Sequence, residues 1–180
     1  AYAISVQTTL SCSWFRCYTD TDVIGVETAG ALKNVIAIAV GMADGNDGGF
    51  NARAALMTRG LAEITRIGVA QGADAETFLG LAGMGDLLLT CTGDLSRNRR
   101  LGLGLGRGRK LEEIQAELGE VVEGIATTRA AVRLAARLGV DAPITNLVRA
   151  VIDGESTPLE AGRALMTRQL RSERDRVSKS

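Results

Sequence analysis

Lys33 and Asn34 interrupt a run, Val26 to Ala39, that is otherwise almost entirely small or apolar. Lysine is scarce in this chain, occurring only at positions 33, 110 and 179, while arginine supplies nearly all the other positive charge. One account of Lys33 is that its stem packs and its ammonium reaches water. The other is a lysine tuned for chemistry, since burial favours a neutral amine and makes a base available near neutral pH. On spacing alone the first account is the commoner one. Asp86 raises a similar question, because it stands between Gly85 and the apolar run Leu87–Leu89, where a carboxylate is costly unless paired. Ser96-Arg97-Asn98 opens a helical stretch. There free backbone N–H groups, the helix dipole, a hydroxyl, a guanidinium and an amide can converge on an anion. The plainer account is capping by Asp94 or Ser96 with Arg97, Arg99 and Arg100 solvated. Taken together the three features describe a base, a carboxylate that orients it and an anion cradle. Such a set suits a small phosphorylated alcohol or ketone that loses or gains a proton at its oxygen.

Composition removes other chemistries. The chain has 180 residues and no histidine, which eliminates serine–histidine and cysteine–histidine catalysis and argues against a conventional zinc or iron site. Its 21 basic and 21 acidic residues balance, so no overall field points to nucleic acid or a membrane surface. Cys12, Cys17 and Cys91 lack CxxC spacing and are expected to be reduced thiols of a cytoplasmic protein. No apolar run is expected to span a membrane. Abundant Ala, Leu and Gly with few aromatics and prolines predict packed helices rather than a sheet.

The elements that must position these residues are accordingly helical. The lysine helix is predicted from Val26 to about Ala43, followed by a Gly/Asp/Asn-rich turn at 44–49 that lacks EF-hand ligand spacing. A second helix is predicted from about Asn51 to Gln71, with Leu56, Leu61, Ile64 and Ile67 inward and Arg59, Glu63 and Arg66 on the opposite face. A shorter helix is predicted at 75–81, with a break at Gly83-Met84-Gly85. The alternating glycines 102, 104, 106 and 108 lack the strand of a dinucleotide loop, so they are read as small residues letting helices approach closely. Further helices are predicted at 111–118, at 124–138 with Arg129, Arg133 and Arg137 as a solvated stripe, and after Pro143. Thr157-Pro158-Leu159-Glu160 is a capping box. Asp20 and Asp22 stand where N-caps are useful. The first 20 residues differ: 3–7 and 15–19 lean towards β-structure. The predicted organisation is therefore 1–20 as the remnant of a preceding α/β domain, 21–167 as an all-helical substrate domain, and 168–180 as a charged tail.

Six blocks, in order over about residues 15–155, resemble the bacterial-type NAD(P)-dependent glycerol-3-phosphate dehydrogenases. They are Gly25–Val35, Asn51–Gly60, Gly80–Leu87, Thr90-Cys91, Ser96–Arg99 and Val121–Gly124. The resemblance implies a multi-helical, substrate-binding C-terminal domain of the kind that follows a Rossmann domain. It implies interconversion of glycerol 3-phosphate and dihydroxyacetone phosphate with NAD or NADP, in glycerophospholipid synthesis. By the same resemblance Lys33 is the catalytic proton acceptor. Asn34, Asp86, Thr90, Ser96, Arg97 and Asn98 contact substrate, Asp86 also holding Lys33, and Arg97, Val121 and Glu123 contact the cofactor. No metal is implied.

The dinucleotide-binding domain of that family is not in this sequence, and Ala1–Trp14 matches the family poorly, so the 180-residue chain alone is expected to be inactive. Expected partners are the small phosphorylated substrate and, as a possibility, a second copy of the chain. Two alternatives stay open from the residues. One is the helical domain of another hydroxy-acid dehydrogenase, and the other a non-catalytic helical dimerisation module. Nucleic-acid binding through Arg97, Arg99, Arg100, Arg107, Arg109 and Lys110 is disfavoured by the zero net charge and the few aromatics.

Overall fold

The computed structural model describes residues 2–170, and among these the architecture is helical with one isolated β-bridge, Cys12 to Phe15. In chain order the helices are α1 (Tyr2–Leu10), α2 (Val23–Gly45), α3 (Gly49–Ala70), α4 (Asp86–Thr92), α5 (Arg97–Gly106), α6 (Leu111–Leu118), α7 (Glu123–Leu138), α8 (Pro143–Ile152) and α9 (Pro158–Met166). A 3₁₀ turn, Ala75–Leu79, and a π-helical turn, Leu81–Gly85, join α3 to α4.

α2 is the axis of the fold. It starts where the Asp22 carboxylate accepts a hydrogen bond from the Gly25 N–H, satisfying one of the donors a helix start leaves open. The other Asp22 oxygen accepts from the Asp74 N–H and the Thr77 hydroxyl, tying that start to the 3₁₀ turn. These three donors hold the Asp22 carboxyl below its ordinary value, the Gly25 bond being the largest cause. From Val35 to Val40 every α2 residue is buried, and α3, α4, α5 and α7 pack around it. Each fully buried Val or Ile there contributes about 1.5–3 kcal/mol of apolar transfer.

The α2–α5 contact is the tightest. Gly41 and Gly45 of α2 face Gly102 and Gly106 of α5 at one-turn spacing. A Cβ at Gly102 would meet the Ile38 carbonyl and the Met42 N–H, and one at Gly106 the Met42 carbonyl. The glycines therefore serve close helix approach, as their spacing predicts. The capping box at Thr157 is also present in full, with the Thr157 hydroxyl accepting from the Glu160 N–H and the Glu160 carboxylate accepting from the Thr157 N–H. α6 and α7 end on Gly119 and Gly139, both at φ +66°, a conformation glycine adopts without the Cβ penalty.

Three expectations need correction. Residues 3–7 are helical rather than β-leaning; α1 buries none of its residues, so no packing opposes the local hydrogen-bonded choice. Glu63 is not solvent-facing but 1% exposed. Both its oxygens cap α8, taking the Ile144 N–H at 2.9 Å, the Thr145 N–H at 2.8 Å and the Thr145 hydroxyl at 2.6 Å. Arg129, in the stripe expected to be solvated, is exposed and forks onto Asp153 at the surface. Finally, α2 is long and apolar enough by composition to cross a membrane, contrary to the expectation that no run would be. Its apolar residues from Leu32 to Met42 are buried in the core, while Val23, Ile24 and Val26 in its first turn are exposed. Of the predicted charged tail, Arg168 binds Asp141 at 2.7 Å, and 171–180 lie outside the described residues.

Candidate active site

Three segments converge beside the upper half of α2. The first is the turn between α3 and α4. Phe78 is fully buried, and its ring lies where a Cβ on Gly68 would have to be, while Gly83 sits against the Phe78 main chain. The chain can fold back this closely only through glycine, and it does so as the π-helical turn closed by the Gly85 N–H on the Gly80 carbonyl. That turn delivers Asp86 as the first residue of α4. Leu87 and Cys91, fully buried, hold α4 to the core, which leaves Asp86 and Thr90, one turn apart, on a shared face.

Asp86 Oδ2 accepts a hydrogen bond from Lys33 Nζ across 53 residues of sequence. The two side chains are 22% and 34% exposed, so the pair is neither a free surface contact nor a sealed one. Lys33 thus does not simply snorkel: its ammonium is turned onto a carboxylate. A half-exposed ion pair gains about 4 kcal/mol of gross attraction, most of it offset by desolvation. Its value is therefore orientation more than stability. The Thr90 hydroxyl donates to the Asp86 main-chain carbonyl at 2.6 Å and lies 3.4 Å from Asp86 Oδ1. Thr90 accordingly braces the residue that holds Lys33.

The second and third segments are the start of α5 and the start of α7. Ser96 caps α5, its Oγ accepting from the Arg99 N–H at 3.3 Å. Asn98 links three helices: its Nδ2 donates to Asn34 Oδ1 at 2.9 Å, and its Oδ1 accepts from the Gly124 N–H at 3.0 Å. A Cβ at Gly124 would collide with that amide, so only glycine allows α7 to come this close. Asn34, next to Lys33, is in this way wired to the α5 start. The guanidinium of Arg97 is exposed and pairs with Glu120. Val121, 80% exposed, and Glu123, exposed in the first turn of α7, flank buried Val122 on the same run that carries Glu120.

The structure therefore joins Lys33 to Asp86 and Thr90, and Asn34 to Asn98. It sets Arg97 beside the run bearing Val121 and Glu123, and uses the Ser96 hydroxyl as a cap. Sequence reasoning missed Glu120, the Gly124 N–H and, most of all, Arg99. The plainer account of this turn leaves Arg99 in solvent, yet its side chain is 12% exposed and bound to Asp44 and Asp94. The signal was available: α2 runs through Asp44, so an acid occupies the negative end of an apolar helix, where it needs a cation.

A large groove lies elsewhere, between α3, α8 and α9, lined by Leu56, Leu147, Leu159 and Met166, and contains none of these residues. Lys33 and Asp86 stand instead on a partly open face. Cys91 is fully buried there, and burial pushes its thiol up to about 12, so it is no nucleophile.

The described residues form a helical body whose core helix presents a lysine–carboxylate pair beside an Arg-Asn helix start. It matches the solved glycerol-3-phosphate dehydrogenase of Coxiella burnetii with a TM-score of 0.89 and 42% identity, over 93% of this chain and 51% of that one. It matches the yeast enzyme of Saccharomyces cerevisiae with a TM-score of 0.80 and 28% identity, over 88% and 46%. Among curated relatives, the glycerol-3-phosphate dehydrogenase [NAD(P)+] of Syntrophotalea carbinolica is 56% identical over 96% of this chain and 52% of its own length, and that of Geobacter sulfurreducens 55% over 97% and 52%. The family model for the NAD-dependent glycerol-3-phosphate dehydrogenase C-terminus matches residues 22–163, and the chain belongs to that family. It spans about half the length of the curated relatives it matches.

Proposed function

We propose that this chain is the substrate-binding and proton-transfer half of an enzyme that interconverts glycerol 3-phosphate and dihydroxyacetone phosphate with NAD(H) or NADP(H). The single observation that carries the reading is the Lys33–Asp86 pair, formed between α2 and a glycine-built turn and set beside Asn34. As found, the Lys33 ammonium donates to Asp86. In the reducing direction it passes a proton to the C2 oxygen as that oxygen gains charge, and in the oxidising direction its amine takes the C2 hydroxyl proton. Asp86 holds the Lys33 nitrogen in place in both directions, and Thr90 holds Asp86. Arg97 and Asn98, at the positive end of α5, bind the phosphate, with Ser96 shaping that turn as its cap.

The nicotinamide cofactor, when bound, supplies the hydride exchange. Of this chain, Arg97, Val121 and Glu123 are the residues that would reach it. The fit is reasonable there, because an exposed guanidinium adjoins an exposed run at the start of α7. Leu81, Met84, Leu88 and Leu89 are also exposed around Asp86, an apolar surface of the kind a second domain covers. Alone, the chain would have a base but no held hydride acceptor. Three free cysteines among the described residues accord with a reducing cytoplasm.

The test is Lys33→Met in a full-length enzyme carrying this half. A general acid–base is worth about a hundred- to ten-thousand-fold in rate. The variant should lose kcat on that scale while melting like the parent. Retained turnover would remove Lys33 from the chemistry.

A further inference from the structure

Asp44 is a carboxylate in the last turn of α2, where the helix dipole disfavours it, and its side chain is only 7% exposed. Two guanidinium groups from different helices hold it there. Arg53 of α3 gives Nε to Oδ1 at 3.0 Å, and Arg99 of α5 gives Nη2 and Nε to Oδ2 at 2.8 and 3.1 Å. The Arg53 guanidinium also lies 5.3 Å from the Phe50 ring centroid, a cation–π contact. Arg99 reaches back with Nη1 to Asp94 Oδ1 at 3.1 Å, so it grips the chain before the Ser96 cap as well as the core helix.

The position of Arg99 gives this network a use. It immediately follows Arg97-Asn98, and the two neighbours reach in opposite directions along α2: Asn98 to Asn34, Arg99 to Asp44. Those anchors are ten residues apart on α2, about 15 Å of helix rise. Between them Gly41 lets the α5 backbone touch α2 at the Arg99 carbonyl. Two tethers with a contact between them leave the first turn of α5 no rotation about α2. Arg97 alone of the three consecutive residues keeps its guanidinium turned outward.

We infer that Asp44, acting through Arg99, is a positioning residue that sets the anion-binding turn Ser96-Arg97-Asn98 against Lys33, and so governs selectivity for the phosphorylated substrate. Lys33 and the α5 turn belong to one rigid unit because a single helix, α2, carries both the base and the two anchors. The inference rests on the function proposed above.

The experiment uses a full-length enzyme carrying this half. It compares kcat/KM for dihydroxyacetone phosphate with kcat/KM for unphosphorylated dihydroxyacetone, alongside thermal melts. Asp44→Asn keeps the shape but sets an amide donor against a guanidinium, and Arg99→Lys keeps the charge but loses the fork. A misplacement of about 1 Å can cost on the order of a hundred-fold. Each variant should therefore lower the phosphorylated-to-unphosphorylated ratio about ten- to a hundred-fold, by raising KM for the phosphate substrate. Asp44→Glu should restore part of it, and Arg53→Lys, which leaves the Arg99 tether in place, should lower the melting temperature without changing the ratio. If Asp44→Asn fails to fold, the Arg99→Lys ratio decides. An equal loss on both substrates, or a loss of melting temperature alone, overturns the positioning role while the proposed function stands. A parent enzyme with no turnover of dihydroxyacetone phosphate overturns that function and this inference with it.

Discussion

Replacing Glu63 by alanine should be among the most damaging single changes in this domain, although Glu63 lies outside the candidate site. α8 begins at Pro143, which has no N–H, and Ala142 before it offers no side-chain cap. The next two donors, the Ile144 and Thr145 N–H groups, both go to the Glu63 carboxylate, as does the Thr145 hydroxyl. Ile144 and Thr145 are buried, so water cannot replace the carboxylate. Each orphaned buried donor costs about 1–3 kcal/mol. Two backbone donors put Glu63→Ala at about 2–6 kcal/mol before any cavity is counted. That is a large share of the 5–15 kcal/mol typical of a whole domain.

Glu63→Gln keeps one acceptor and turns an amide N–H₂ towards a donor, so it should cost less but still measurably. The acid–base sign separates two causes. Burial pushes the Glu63 carboxyl above its ordinary value, outweighing the three donors and Arg66, which pull it down. A raised carboxyl binds its proton more tightly in the folded state. Its stability contribution is therefore fullest below the ordinary glutamate range and is lost as pH rises through the folded value. Urea melts of parent and Glu63→Gln across that range should show their stability difference shrinking as pH rises. A difference that grows with pH would mean that the donors outweigh burial, and an unchanged melt for Glu63→Ala would refute the cap itself.

Two further outcomes follow from the packing. Gly102→Ala should destabilise by at least the 1–3 kcal/mol or so typical of overpacking, because its Cβ meets α2 backbone rather than a movable side chain; a melt within error of the parent would show that α2 and α5 are not closely seated. A thiol reagent at neutral pH should modify exposed Cys12 and half-exposed Cys17 but spare Cys91, whose thiol is buried and pushed up to about 12. Mass spectrometry finding Cys91 labelled at a rate similar to Cys12 would contradict the burial.

Local signals were the ones legible in sequence. The Thr157–Glu160 box, the apolar run of α2 and the small-residue face of α5 each follow from neighbours a few residues apart, and each is present. Lys33 and Asp86 were legible as two misfits that need one another, and they are paired. Glu63 and Arg99 were misread for a common reason. Helical periodicity assigns a charge to the solvent face unless something distant requires it. The partners of Glu63 lie 81 and 82 positions away, those of Arg99 at Asp44 55 positions away. The first segment failed differently. With no residue of α1 buried, propensities differing by tenths of a kcal/mol decided between helix and strand, and composition alone does not resolve such margins.

These misreadings bear on how the site is built. Each charge that broke its local rule, Lys33 in an apolar helix, Asp44 at a negative helix end and Glu63 on a buried face, turns out to bind an element remote in sequence. α2 carries two of the three and α3, packed against it, the third. Apolar packing brings the helices together but tolerates small sliding and rotation, since dispersion contacts are non-directional. Charge-assisted hydrogen bonds are directional and lose most of their strength when geometry slips. Replacing these charges with well-packed apolar residues could therefore leave a stable helical bundle. What it would lose is the register that sets a lysine, an asparagine and an arginine on one face, and that register is what the proposed proton transfer requires.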